Sequence, residues 1–154
     1  MGVEIERKFL VDPIQWHPET EGTVMVQAYL GLAPNPTVRV RIKGMKAYLT
    51  IKGRSSSISR PEFEYEIPVA DAHEMMKLAI SNPVEKIRHE IWHNGFRWEV
   101  DVFSGKNEGL ILAEIELNSE DQQFKKPDWV LSEVSSDGRY YNSFLSEHPF
   151  QEWK

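Results

Sequence analysis

The chain has 154 residues, of which 40% are apolar and 27% are charged, and this composition is ordinary for a single globular domain over residues 1–154. Its net charge of −6 offers no general attraction to nucleic acid, and the absence of cysteine excludes disulfides and thiolate-bound zinc. The sequence contains neither a secretory signal nor a run of about 18 apolar residues, so we expect a cytoplasmic protein with no membrane partner.

Alternation of apolar and charged residues, interrupted by turn signals, dominates the chain. This pattern predicts eight strands, most of them in hairpin order, at residues 3–11, 24–30, 37–43, 46–52, 62–67, 84–93, 96–103 and 110–117. The strongest turn signal is Asn94-Gly95, which is typical of a two-residue hairpin loop. We also expect a turn at 34–36 and a Ser-rich loop at 53–59.

Helical periodicity is confined to short segments. Residues 71–80 are predicted to form a helix, because their apolar residues recur at helical spacing after Asp71, and Asn82-Pro83 would end it. Ser119 is expected to open a short helix that Pro127 would end. Beyond it we expect a loop at 133–137 and a last helical turn or two at 139–147.

The first predicted strand carries a distinctive group of charges. Glu4, Glu6 and Lys8 share one of its faces, because side chains alternate along a strand. Two carboxylates at this spacing can reach one divalent cation, and a lysine one pleat further on can bind an anion bridged to that cation. Taken alone, the pattern is more often that of a solvated strand face.

Seven of the eight predicted strands carry charges on one face, which leaves two architectures. In a sandwich, the apolar faces would pack inward and the charges would meet bulk water. In a closed eight-stranded barrel, the charges would line a wet interior. We favour the barrel, because the charged faces are almost entirely Arg, Lys and Glu, with like charges two residues apart at 39–43, 62–66 and 114–116. The predicted helices are too small to cover the apolar outside, so we expect a flattened barrel or a dimer that buries one wall.

Several short motifs follow one another along the chain. They are EIERKF (4–9), VRVRIKG (38–44), LTIKG (49–53), SRPEFEYEI (59–67), VEKIRHEI (84–91), WEVDVFSG (98–105), LAEIELNSED (112–121) and EVSSDGRYYNSFL (133–145). Each is weak alone, but their order and spacing resemble the CYTH superfamily, also called the triphosphate tunnel metalloenzymes. The short chain resembles the compact bacterial members that cleave inorganic triphosphate.

The resemblance implies a β-dominated α+β fold, namely a closed eight-stranded antiparallel β-barrel with a few helices outside, and metal-dependent hydrolysis of inorganic triphosphate to phosphate and pyrophosphate in its tunnel. It assigns the phosphate oxygens to Lys8, Arg39, Arg41, Lys52, Lys86 and Arg88. It assigns one or two divalent cations, Mg²⁺ or Mn²⁺, to Glu4, Glu6, Glu62, Glu64, Asp101, Glu114 and Glu116. Tyr29 and Lys52 match the tyrosine–lysine pair that related short enzymes are thought to use to activate water.

Other functions remain open on the sequence. An adenylate cyclase, or a thiamine or nucleoside triphosphatase, of the same superfamily would use the same triphosphate site. A non-enzymatic module would bind polyphosphate without turnover, although simple anion capture does not need so many carboxylates near the phosphates. The sequence also leaves a homodimer open and gives no indication of a nucleic-acid or membrane partner.

Overall fold

The computed structural model describes residues 2–32, 36–54 and 58–153, and nine strands form its main element. The predicted turn at 34–36 and the predicted loop at 53–59 lie partly outside the described residues. The strands are β1 (Gly2–Val11), β2 (Thr23–Gly31), β3 (Thr37–Lys43), β4 (Lys46–Lys52), β5 (Ser59–Ile67), β6 (Val84–His93), β7 (Phe96–Phe103), β8 (Ile111–Glu116) and β9 (Val130–Glu133). The two α-helices are α1 (Val69–Met76) and α2 (Asn142–Glu147), and short 3₁₀ turns lie at Gly105–Asn107, Gly138–Tyr140 and Phe150–Glu152.

The sheet closes on itself. Its strand order is β5-β4-β3-β2-β6-β7-β8-β1, and a further antiparallel pairing joins β1 to β5 from Gly2 opposite Glu62 to Ile5 opposite Ser59. Strands β1 to β8 therefore form the predicted closed eight-stranded antiparallel barrel. Strand β9 lies outside this ring, on the edge of β1 beyond its pairing with β5, where Phe9 faces Glu133.

Local sequence explains the tight connections of the barrel. At the tip of the β6–β7 hairpin, Asn94 and Gly95 have φ angles of 50° and 82°, which are the positive values that a type I′ turn requires of both central residues. The Asn94-Gly95 turn predicted from the sequence is thus confirmed. Because this turn fixes the register, Arg88 stands opposite Asp101 on the same face of the barrel wall.

Apolar side chains coat most of the outside of the barrel. Helix α1 covers β2, β3 and β4, with Ala72 packed on Ala28, Val40 and Ala47. An aromatic cluster that includes Phe9, Trp98 and Trp129 covers the wall formed by β1, β7 and β8. The outer wall at β5 and the start of β1 has less cover, because Tyr65 is 57% exposed and Val3 is 68% exposed.

The inside of the barrel is apolar at one end. Val84, Phe103 and Leu112 lie two residues beyond Lys86, Asp101 and Glu114 on the same strand faces, and they pack with Leu145 of helix α2. Helix α2 and this apolar layer close one end of the bore. The interior is therefore a blind cavity at that end.

Three segments differ from the sequence predictions. The first helix runs over Val69–Met76 rather than 71–80; it starts directly after Pro68, and Ile80 instead donates its backbone N–H to the carbonyl of Tyr29 at 3.0 Å. The helix expected from Ser119 is only a turn, held by a hydrogen bond from the Gln122 N–H to the Ser119 carbonyl. The loop expected from residue 133 begins with the end of β9, because the free edge of β1 accepts a further strand.

Among the residues that the structure describes, no helix has the length and apolarity that crossing a membrane would demand.

Candidate active site

The inward faces of the strands surround a polar cavity of about 230 Å³. Every site residue predicted from the sequence lines this cavity except Asp101. The lining residues are Glu4, Glu6, Lys8, Tyr29, Thr37, Arg39, Arg41, Lys43, Thr50, Lys52, Arg60, Glu62, Glu64, Lys86, Arg88, Arg97, Glu99, Glu114, Glu116, Tyr141, Asn142 and Ser143. The third residue of the β5 acidic row, Glu66, is exposed outside this set and stands opposite Tyr48.

Positive side chains are concentrated on β3 and β6. Arg39, Arg41, Lys86 and Arg88 are all buried, although each has a charged end group. Burial, together with the positive charges of Arg39 and Arg88, lowers the pKa of Arg41 to about 9. Burial lowers the pKa of Lys86 to about 7, partly opposed by the negative charge of Asp101. A cluster of closely spaced, desolvated cations is expected to attract a multiply charged anion.

Asp101 lies behind this cationic wall. Its carboxylate accepts hydrogen bonds from Arg88 Nε at 2.8 Å and Arg88 Nη2 at 2.9 Å, and it lies 2.7 Å from Lys86 Nζ. Burial acts to raise the pKa of Asp101, but the positive charges of Arg88 and Lys86 outweigh it and lower the pKa to about 2. Asp101 is thus the counterion of two buried cations, which differs from the direct metal contact predicted for it.

Carboxylates are concentrated on β1, β5 and β8. Burial and the negative charge of Glu114 raise the pKa of Glu6 well above its usual range. Burial would also raise the pKa of Glu114, but the positive charge of Lys8 and a hydrogen bond with Glu6 hold it well below its usual range. Burial and the charges of Glu4 and Glu99 raise the pKa of Glu116. The carboxyls of Glu6 and Glu114 therefore lie close enough for each to shift the pKa of the other.

The donor set matches a hard divalent cation. Mg²⁺ and Mn²⁺ prefer oxygen ligands, and Mg²⁺ is usually held by one or two carboxylates together with substrate phosphates and water. Within the described residues, no three acidic or histidine side chains converge closely enough to hold a metal without further ligands. The paired carboxyls of Glu6 and Glu114 fit the role of the one or two protein ligands, because a cation would offset both the burial and the repulsion by Glu114 that raise the pKa of Glu6.

Tyr29 and Lys52 do not contact each other in this structure. Gln27 Nε2 donates to the Tyr29 hydroxyl at 3.4 Å. Lys52 Nζ donates to both carboxylate oxygens of Glu4, at 2.8 and 2.9 Å, and lies 3.3 Å from Glu62. For the predicted tyrosine–lysine pair to form, Lys52 would have to leave Glu4 and Glu62 and contact Tyr29.

Several further polar residues belong to the site and were missed from the sequence. Thr50 links Arg39 to Glu64, with distances of 3.2 and 2.9 Å, and Gln27 accepts a hydrogen bond from Arg41 Nε at 2.9 Å. Thr50 shares a face of β4 with Lys52, and Gln27 shares a face of β2 with Tyr29, so strand alternation could have located both. Tyr141 and Asn142 come from the C-terminal segment, and no strand pattern could have brought them to the cavity.

The CYTH domain family matches residues 2–143 of the chain. The chain belongs to this family. It is 47% identical over 155 residues to the inorganic triphosphatase of Acetivibrio thermocellus, an alignment that covers 100% of this chain and 99% of that protein. It is 34% identical over 148 residues to the inorganic triphosphatase of Nitrosomonas europaea, covering 93% of this chain and 96% of that protein.

Solved CYTH-like structures share the architecture. A crystal structure described as the inorganic triphosphatase NE1496 superposes with a TM-score of 0.68 at 34% identity, covering 95% of each chain. A structure described as the putative adenylyl cyclase HpAC1 from Hippeastrum superposes with a TM-score of 0.56 over 77% of this chain and 80% of that one. At 15% identity, the second likeness is one of fold alone.

Proposed function

We propose that this CYTH protein hydrolyses inorganic triphosphate to phosphate and pyrophosphate inside the barrel, using Mg²⁺ or Mn²⁺. The observation that carries the proposal is the arrangement of the cavity, with buried arginines and lysines from β3 and β6 facing carboxylates from β1, β5 and β8. The two relatives named as inorganic triphosphatases, which align over nearly the whole chain, support the same activity.

The size of the cavity favours an inorganic substrate over a nucleotide. A volume of about 230 Å³ is below the range of about 300–1,000 Å³ that is usual for sites of drug-sized ligands. Helix α2 and the apolar layer of Val84, Phe103 and Leu112 occupy one end of the bore. A triphosphate can fill the remaining space with its charges against Arg41 and Lys86, whereas a base and ribose would have to stay outside the mouth.

In the proposed reaction, water attacks the terminal phosphorus and the P–O bond to the bridging oxygen breaks, which yields phosphate and pyrophosphate. Phosphoryl transfer depends mainly on positioning and on neutralising charge. Lys8, Arg39, Arg41, Lys86 and Arg88 would bind the phosphate oxygens, and their burial strengthens each contact because the surroundings screen charge weakly.

The acidic residues of the cavity would hold the cation. We assign this role first to Glu6 and Glu114, with Glu4, Glu62, Glu64 and Glu116 lining the same space. A divalent cation supplies charge neutralisation and Lewis-acid polarisation of the phosphoryl group. Burial and the charge of Glu114 raise the pKa of Glu6, and a cation bound beside the two carboxyls would oppose that rise.

A panel of substrates with each metal tests the proposal. Purified protein is assayed for phosphate release from inorganic triphosphate, ATP and thiamine triphosphate with Mg²⁺ or Mn²⁺, and for cyclic AMP formation from ATP. We expect release from inorganic triphosphate to exceed that from both organic triphosphates, with no cyclic AMP. Preference for ATP or thiamine triphosphate, or tight binding with no turnover under either metal, would refute it. Gel filtration in the same series would test whether the protein forms a homodimer, which the sequence leaves open.

A further inference from the structure

The buried cations of the cavity differ in what holds them. Arg88 is held by carboxylates, with Asp101 at 2.8 and 2.9 Å and Glu99 at 3.3 Å. Arg41 instead donates its Nε proton to an amide oxygen, Oε1 of Gln27, at 2.9 Å. Among the residues that the structure describes, no carboxylate lies within ion-pair distance of Arg41. The hydrogen bond to Gln27 therefore fixes the direction of the Arg41 guanidinium without neutralising its charge.

A second amide extends this arrangement to Lys86. Oδ1 of Asn142 accepts hydrogen bonds from Lys86 Nζ at 3.0 Å and from Gln27 Nε2 at 3.2 Å. Two neutral side chains thus join two cations in one chain, which runs from Arg41 through Gln27 and Asn142 to Lys86. We call Gln27 and Asn142 the amide bridge. Gln27 is fully buried, so this contact is shielded from solvent.

The C-terminal segment supplies neutral acceptors at the closed end of the cavity. Asn142 is the first residue of helix α2, which packs through Leu145 against the apolar layer inside the barrel. Two residues earlier, the backbone carbonyl of Tyr140 accepts a hydrogen bond from Lys8 Nζ at 3.0 Å. Lys8 and Lys86 are therefore both held by oxygens from this one segment.

A neutral acceptor has a specific advantage in an anion site. It fixes the direction of a donor, as a carboxylate would, but leaves the positive charge available to the ligand. Keeping a buried cation without a full counterion is costly in the free protein, and an anionic ligand relieves that cost. Such preorganised charge is the kind that stabilises an anionic transition state most effectively.

We propose that Gln27 and Asn142 are positioning residues, whose amide bridge aims Arg41 and Lys86 at the substrate. The bridge leaves the charge of Arg41 to the phosphates, while Lys86 keeps Asp101 as its counterion at 2.7 Å. The identity of the substrate as a triphosphate rests on the function proposed above. Neither residue is assigned a catalytic role, because each acts through the cation that it holds.

The Asn142→Asp variant separates the positioning of Lys86 from the charge that surrounds it. It keeps the Oδ1 acceptor but adds a negative charge beside Lys86, so we expect the melting temperature to stay at or above that of the wild type. We expect the affinity for tripolyphosphate to fall at least about ten-fold, because the new charge competes with the phosphates. The readouts are the Kd of tripolyphosphate by calorimetry in EDTA and the KM with metal. Unchanged Kd and KM would overturn the proposal.

Asn82→Asp is the matched control. Asn82 Oδ1 accepts a hydrogen bond from Lys106 Nζ at 3.1 Å, which is the same lysine–asparagine contact outside the cavity. This variant is expected to leave the Kd and the KM unchanged. A loss of affinity as large as that of Asn142→Asp would mean that added negative charge anywhere on the protein is enough, and would overturn the argument.

A double-mutant cycle tests whether Asn142 acts through Lys86. Asn142→Ala alone is expected to weaken tripolyphosphate binding about ten-fold, and in a Lys86→Met background no more than about three-fold. Equal losses in both backgrounds would refute the positioning role. If the wild-type protein binds tripolyphosphate but does not hydrolyse it, the proposed function is refuted, whereas the Kd values of the variants still test the positioning role. No binding at all would end both.

Discussion

Replacing Asp101 by Asn should destabilise the barrel rather than act on a metal. Asp101 and Lys86 are each 1% exposed, Arg88 is 8% exposed, and three contacts of 2.7–2.9 Å join them. Asn keeps the shape but removes the charge, and its NH₂ group turns a donor toward a cation. Removing one partner of a buried ion pair costs about 3–5 kcal/mol.

The size of the effect can be expressed as a melting temperature. For a chain of this length, about 3–5 kcal/mol corresponds to a loss of about 6–20 °C. The lowering of the Asp101 pKa from 3.8 to about 2 is by itself worth about 2 kcal/mol. Because the folded-state pKa is the lower one, this stabilisation is present above about pH 4 and is lost as the pH falls toward 2. The difference in melting temperature between the wild type and Asp101→Asn should therefore become smaller at acidic pH.

The assay is thermal unfolding in EDTA, with and without tripolyphosphate. Tripolyphosphate should stabilise Asp101→Asn more than the wild type, because phosphate oxygens replace the lost counterion of Lys86 and Arg88. Asp137→Asn is the control, since its ion pair with Arg139 at 2.7 Å is exposed and should contribute little. A melting temperature near that of the wild type, combined with lost metal dependence, would refute this reasoning and restore Asp101 as a metal ligand.

Other substitutions test the remaining assignments. Changing Glu4 and Glu6 together to Ala should abolish turnover and leave the circular dichroism spectrum unchanged; a variant with normal rate and metal dependence would show that the metal assignment is wrong. Arg39→Ala should raise KM more than it lowers kcat, since it removes a phosphate contact. Because the folded-state pKa of Glu6 is raised, its ionisation costs stability as the pH rises above the ordinary glutamate pKa of 4.5. Glu6→Gln should therefore flatten the fall in melting temperature as the pH rises above that value in EDTA. Tyr29→Phe should lower kcat by about 100-fold if the tyrosine activates water, and a change below about three-fold would remove that role.

Much of the fold followed from local patterns. Strict alternation set the faces of the strands, and the Asn94-Gly95 turn fixed one register, so the eight barrel strands were predicted within a few residues of their bounds. Strand β9 escaped prediction because its four residues, Val130–Glu133, lack a long alternation and form a strand only by pairing with the edge of β1. Helix α1 begins two residues before the predicted start at residue 71, because Pro68, which precedes it, suits a helix N-terminus.

The candidate site was predicted in its charges but not in its partners. Alternation along a strand is enough to place Glu4, Glu6 and Arg39 on one inner surface. The register of the β6–β7 hairpin places Arg88 opposite Asp101, but alternation cannot tell that Lys86 reaches the same carboxylate, because that depends on the tilt and stagger of the strands. Alternation also gave no sign that the inward-facing residues become apolar at one end of the bore.

The sequence by itself determined which side chains share a face, since a period of two is a local property of an extended chain. From that, and from its likeness to a known family, came the closed barrel and its charged interior. Only the tertiary structure decided which cation meets which acceptor, that Asn142 reaches Lys86 across 56 residues of chain, and that helix α2 closes the bore. These contacts join segments far apart in the chain, and packing in three dimensions, rather than any local period, sets them.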